Sequence, residues 1–184
     1  MATTLKDIGR FLYEADMKFK LREEKNDAVL SFVTDKYRDK DGDASLAIIV
    51  RIDEDGDYLS IFAPNAFLIS KENVAPFLET CSIIQWKTKL IQFEYDDKDG
   101  EIRPVIEFPL EDAFLTKKQL MRCVVGLFKL IEEYYLVLDN VLKTGAIDFS
   151  LQGESAVKPD IRALLESLPI ELLEEVLRKK KGEE

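Results

Sequence analysis

Alternation of apolar and polar side chains dominates the first half of the chain. In AVLSFVT, residues 28–34, Leu30 and Phe32 share one face; in SLAIIVRI, residues 45–52, Leu46, Ile48, Val50 and Ile52 share one face while Ile49 takes the other. A period of two is that of a strand, and apolar residues on both sides predict that 45–52 is central in a sheet. DYLSIF (57–62), TKLIQFEY (88–95) and EIRPVIEF (101–108) carry the same period, and MKFKLRE (17–23) predicts a short opening strand with its turn at Lys25, Asn26 and Asp27. Pro104 has no N–H to give to a ladder, so its strand is expected at an edge, or paired only on its other side at that point.

Helical spacing appears in three places. Leu5, Ile8, Leu12 and Ala15 recur at steps of three and four, with Thr4 and Asp7 placed as a capped start. In SKENVAPFLETCSIIQW, Val74, Phe77, Cys81 and Ile84 form a stripe, Pro76 fits only a first turn, and Ser70 or Asn73 is the expected cap. The strongest signal spans 115–145: Thr116 and Gln119 make a capping box, Gly145 stands where a terminal glycine belongs, and Leu120, Val124, Leu127, Ile131, Tyr134, Leu138 and Val141 form one apolar face. Met121, Val125, Phe128 and Tyr135 widen that face, which points either to a second subunit or partner, or to complete cover by the sheet and first helix.

Asp-x-Asp-Gly or a close variant occurs three times, as DKDG at 39–42, DEDG at 53–56 and DKDG at 97–100. A calcium-binding EF-hand loop needs ligands at its first and twelfth positions and glycine at the sixth. Placing Gly42, Gly56 and Gly100 there puts Tyr37, Arg51 and Tyr95 first and Ile48, Phe62 and Ile106 last, so every copy lacks both ligands. The flanking strands instead predict hairpin turns, with Asp-Gly supplying the two positive-φ residues of a type I′ turn.

The resulting order is helix, a meander of three or four strands, helix, a two-stranded hairpin and a long helix: an α+β fold with an antiparallel meander sheet flanked by helices. The expected domain covers residues 1–145, followed by a linker at 146–159 and a helical tail at 160–184. In that tail Ile170, Leu173, Val176 and Leu177 lie along one side, and the basic run Arg178 to Lys181 falls at the end that suits a helix dipole. The tail is expected to dock on its own domain, a sister subunit or another protein.

Composition narrows the chemistry. The chain has 184 residues, a net charge of −10 and no histidine. That charge disfavours nucleic acid and anionic membranes, and the lack of histidine removes the commonest acid-base group near neutral pH. Cys81 and Cys123, far apart in sequence, are expected as small core hydrophobes. No bilayer-length apolar run is present and MATTLKDIGR has no signal-peptide pattern, so a cytoplasmic location is expected.

The stretches IGRFLYEADMKFKL and IFAPNAFLISKENVAPFLETCSIIQWKTKLIQFEYDDKDGEIRPVIEFPLEDAFLTKKQLM, continuing into the long helix, resemble the YbjN family of bacterial sensory transduction regulators. The similarity covers about residues 5–143 and departs at Gln85 and Trp86, where many members show an asparagine nearby. It implies a type III secretion chaperone-like fold and a non-catalytic module that often dimerises, with no residue roles to carry over. No catalytic residue, cofactor or metal site is expected. The leading expectation is a regulator or chaperone-like adaptor, a homodimer with a protein partner, using Met121, Val125, Phe128, Tyr135, Ile170, Leu173 and Leu177 as candidate surface. The alternative is a small-molecule or divalent-metal site in the acidic segment 94–112, and a third possibility is a structural subunit of a larger assembly.

Overall fold

The computed structural model describes residues 2–111 and 113–153. Along the chain run α1 (Leu5–Glu14), β1 (Phe19–Arg22), β2 (Asp27–Val33), β3 (Ser45–Asp53), β4 (Tyr58–Phe62), β5 (Phe67–Leu68), α2 (Val74–Lys87), β6 (Gln92–Tyr95), β7 (Glu101–Pro109) and α3 (Lys117–Thr144). The protein is α+β with one antiparallel sheet of seven strands. Five strands precede α2 where three or four are expected; the additional one is the two-residue β5, too short to leave a periodic signal.

Strand pairing follows the meander from β1 to β4, after which β4 pairs with β7. Ile102 pairs with both Phe67 of β5 and Tyr95 of β6, so those two strands lie on opposite edges of β7. Val105 likewise pairs with Phe62 and Gln92. The strand carrying Pro104 is therefore flanked on both sides rather than lying at an edge. Pro104 pairs in register with Phe93 alone, and its carbonyl accepts from the Ala63 N–H at 3.2 Å. Pro104 has no N–H to offer on the side where its carbonyl accepts from Ala63, and the β4–β7 register ends at Phe62 and Val105.

Apolar residues of the inner face, Leu30, Ile48, Val50, Leu59, Ile61 and Ile106, form one core with Ile8 and Leu12 of α1 and the buried side of α3. The long α3 stripe is buried along its whole length, beneath β3, β4, β7 and both other helices. On the opposite face Ile49, Phe62 and Val105 make a smaller cluster, with the guanidinium groups of Arg51 and Arg103 5.1 and 4.7 Å from the Phe62 ring. Asp27, fully buried, is clamped there by two 2.7 Å bonds from Arg22, and Arg51 approaches at 3.7 Å.

The three acidic motifs each join two strands, but none is the expected two-residue turn. Between β2 and β3 the chain makes a longer excursion, with Gly42 at φ 88° and the Asp39 carboxylate accepting from the Asp41 and Asp43 N–H groups. Between β3 and β4 three consecutive residues, Glu54, Asp55 and Gly56, take positive φ. Between β6 and β7, Gly100 closes the five-residue loop 96–100 through its N–H bond to the Asp96 carbonyl. Aspartate side chains that bond the backbone two residues ahead favour these longer turns over a bare type I′ pair.

Candidate functional site

Thr88 ends α2, its hydroxyl donating to the Ile84 carbonyl at 2.9 Å, and the chain then crosses toward β6. Along this crossing Leu90 adopts φ 71°, an uncommon conformation for leucine, and is 60% exposed, while Ile91 turns into the core. One turn back on α2, Trp86 is 91% exposed. A tryptophan left in water is unusual, because its large apolar surface normally finds cover.

Opposite this crossing, Arg122, Gly126, Lys129 and Glu133 follow steps of four, three and four on α3 and so share one face. Between the two lies a groove of about 450 Å³ lined by Thr88, Lys89, Leu90, Ile91, Ile106 and this face of α3, with Cys123 and Leu130 beside it. Gly126 makes room for it: a Cβ built there meets nothing within 4 Å. Three cations, Lys89, Arg122 and Lys129, line a cleft whose other side chains are apolar apart from Thr88 and Glu133. At its far end the Glu133 carboxylate accepts from Gln152 Nε2 at 2.6 Å and the Glu133 carbonyl accepts from the Gly153 N–H.

Neither thiol is set up as a nucleophile. Burial pushes Cys81 up to about 12 and also raises Cys123, against a smaller opposing pull from Arg122. Both cysteines are free and buried, which suits their expected place in the core. Tyr37 is likewise raised by burial, and its hydroxyl donates to the Ala66 carbonyl at 3.1 Å.

Within the acidic segment, residues between 94 and 103 line a polar recess around the β6–β7 hairpin, with Glu94, Asp96, Asp97, Glu101 and Arg103 among them. Several of its carboxylates hold local structure. Asp96 accepts from the Lys98 N–H, Asp99 from the Glu101 N–H, Glu101 from the Asn65 N–H, and Glu94 from Arg103 at 2.6 Å. Among the described residues no group of three aspartate, glutamate, cysteine or histidine side chains is placed to hold a metal ion.

Of the surface residues named from sequence, Met121, Val125 and Phe128 are half-buried on α3, and Phe128 stacks on Phe32 with ring centres 4.9 Å apart. Tyr135 is 9% exposed and packs edge-on against Tyr37 in the core cluster. Ile170, Leu173 and Leu177 lie outside the described residues. The groove residues Leu90, Gly126 and Lys129 escaped sequence reasoning. A glycine inside a strong helical stripe was the available signal, since an isolated helical glycine usually has a packing reason.

No family model and no curated protein matches the sequence. Among solved structures, the chain is similar to YbjN from E. coli, provisionally described as a transcription regulator, with 11% identity, a TM-score of 0.53, and coverage of 73% of this chain and 93% of that one. At this identity the likeness is one of fold: an α+β architecture shared with YbjN.

Proposed function

We propose that the protein is a non-catalytic regulator or chaperone-like adaptor that binds a protein partner, and that it belongs with the YbjN family and its type III secretion chaperone-like fold. The observation that carries this reading is the apolar groove between α3 and the α2–β6 crossing, with Leu90 exposed in its wall and Trp86 exposed near the end of α2. Interfaces concentrate their energy in a few anchors rich in tryptophan, tyrosine and arginine, types that Trp86 and Arg122 supply here. The fold shared with YbjN adds a regulatory role by analogy alone, because one fold hosts many functions. Two buried thiols with raised pKa and carboxylates engaged in turns favour binding over catalysis.

The working form is a homodimer in the cytoplasm. Among the described residues no helix is long and apolar enough to cross a membrane. Light scattering after size exclusion is expected to give twice the 21.1 kDa chain mass. Affinity capture from native lysate with the full chain is expected to recover a partner protein, and recovery of none under several conditions would contradict the adaptor role.

A further inference from the structure

The groove beside α3 has a charge character opposite to that of the chain as a whole. The chain carries −10 overall, yet the cleft's rim presents Lys89, Arg122 and Lys129. Among the described residues, none of these three forms an ion pair with a carboxylate. The one acidic side chain of the lining, Glu133, is held by Gln152 at the end of the cleft. Between the cations the surface is aliphatic, from Leu90, Ile91, Ile106 and Leu130, and Gly126 leaves its floor open.

From Arg122 to Glu133 the cleft follows α3 for about 16 Å, at 1.5 Å per residue. That length accepts two to three turns of helix rather than a globular surface. An occupant must bring a narrow aliphatic stripe for the floor and carboxylates for the rim. Resting on the adaptor reading above, we propose that this groove docks an acidic amphipathic segment of the partner protein, its leucine-like side chains over Gly126 and its carboxylates against Lys89, Arg122 and Lys129.

The test uses the full chain and two synthetic helical peptides that share a leucine stripe at i, i+3, i+4 and i+7. Glutamates flank the stripe in one peptide and lysines in the other. Fluorescence anisotropy is expected to show saturable binding of the glutamate peptide that weakens with added salt, and at least about tenfold weaker binding of the lysine peptide. Lys129→Glu is expected to weaken the glutamate peptide about tenfold, equivalent to about 1.4 kcal/mol. Gly126→Phe fills the floor and is expected to abolish binding. The new Cβ enters open space and glycine is the poorer helix former, so the variant is expected to stay folded, with an undiminished Tm as the check.

Equal affinity for the two peptides, no saturable binding of either, or unchanged binding by Gly126→Phe would each overturn the proposal. Loss of the dimer in Gly126→Phe would assign the groove to a second copy of the chain and overturn it as well. Affinity capture separates the two levels of the account. If wild type and Gly126→Phe recover the same partner, the adaptor role stands and the groove loses its assignment; if wild type recovers none, the adaptor role itself fails.

Discussion

Two buried ionisable groups show how single residues govern this fold. Asp27 has no exposed surface, and its charge is tolerated because the Arg22 guanidinium makes a bidentate contact and Arg51 stands close by. Removing one member of such a pair leaves a charge without compensation, so Asp27→Ala is expected to destabilise the protein by about 3 kcal/mol, read from urea unfolding. Cys81 sets an alkaline limit. Its folded pKa of about 12 lies above that of an unfolded thiol, about 8.5, so the folded state holds the proton more tightly. The resulting stability is fully present below about pH 8.5 and is lost as pH rises toward the folded value. Raising pH from 8 to 10 is expected to lower unfolding free energy by up to about 2 kcal/mol through this thiol, and Cys81→Ala is expected to flatten that slope.

At the scale of elements, capping and inter-element bonds divide the work. α1 and α3 carry complete capping boxes, Thr4 with Asp7 and Thr116 with Gln119, both legible in the sequence because the motif is local. Asn73, at the expected N-cap of α2, makes no cap bond; its side chain donates instead to the Leu142 carbonyl near the end of α3, a partner 69 residues away that no local pattern encodes. The strands were legible for the same local reason, since Leu46, Ile48, Val50 and Ile52 mark a face by alternation alone. The turn type was not, because it depends on which aspartate bonds which N–H. The groove was less visible still. It arises where Gly126 of α3 meets the crossing after α2, two segments joined only by tertiary folding.

Glu132 supplies a further long-range tie, its carboxylate accepting the N–H groups of Asp35, Lys36 and Tyr37 at 2.9 to 3.1 Å. These bonds fasten the long β2–β3 connection to α3. Glu132→Ala is expected to leave the sheet formed while the amides of residues 35–37 exchange faster, measured by hydrogen exchange. Gly126→Ala is expected to act in the opposite direction, raising stability by about 0.5 to 1 kcal/mol, because it adds helix propensity and its Cβ meets nothing.

At the scale of the described residues, a seven-stranded sheet presents one face to three helices, and the apolar stripe of α3 is buried beneath them. Met121, Val125 and Phe128, which widen that stripe, stay half-buried. Among the exposed large apolar side chains, Leu90 lines the cation-rimmed cleft and Trp86 stands two residues before Thr88 at the end of α2. The central claim is that this edge of the molecule meets another protein. Site-specific photocrosslinking in cells tests it most directly, with benzoylphenylalanine placed in turn at Trp86 and at Tyr13, two exposed aromatic positions on different helices. The account predicts a discrete protein adduct from position 86 and none from position 13; equal labelling from both, or no adduct from 86, would contradict it.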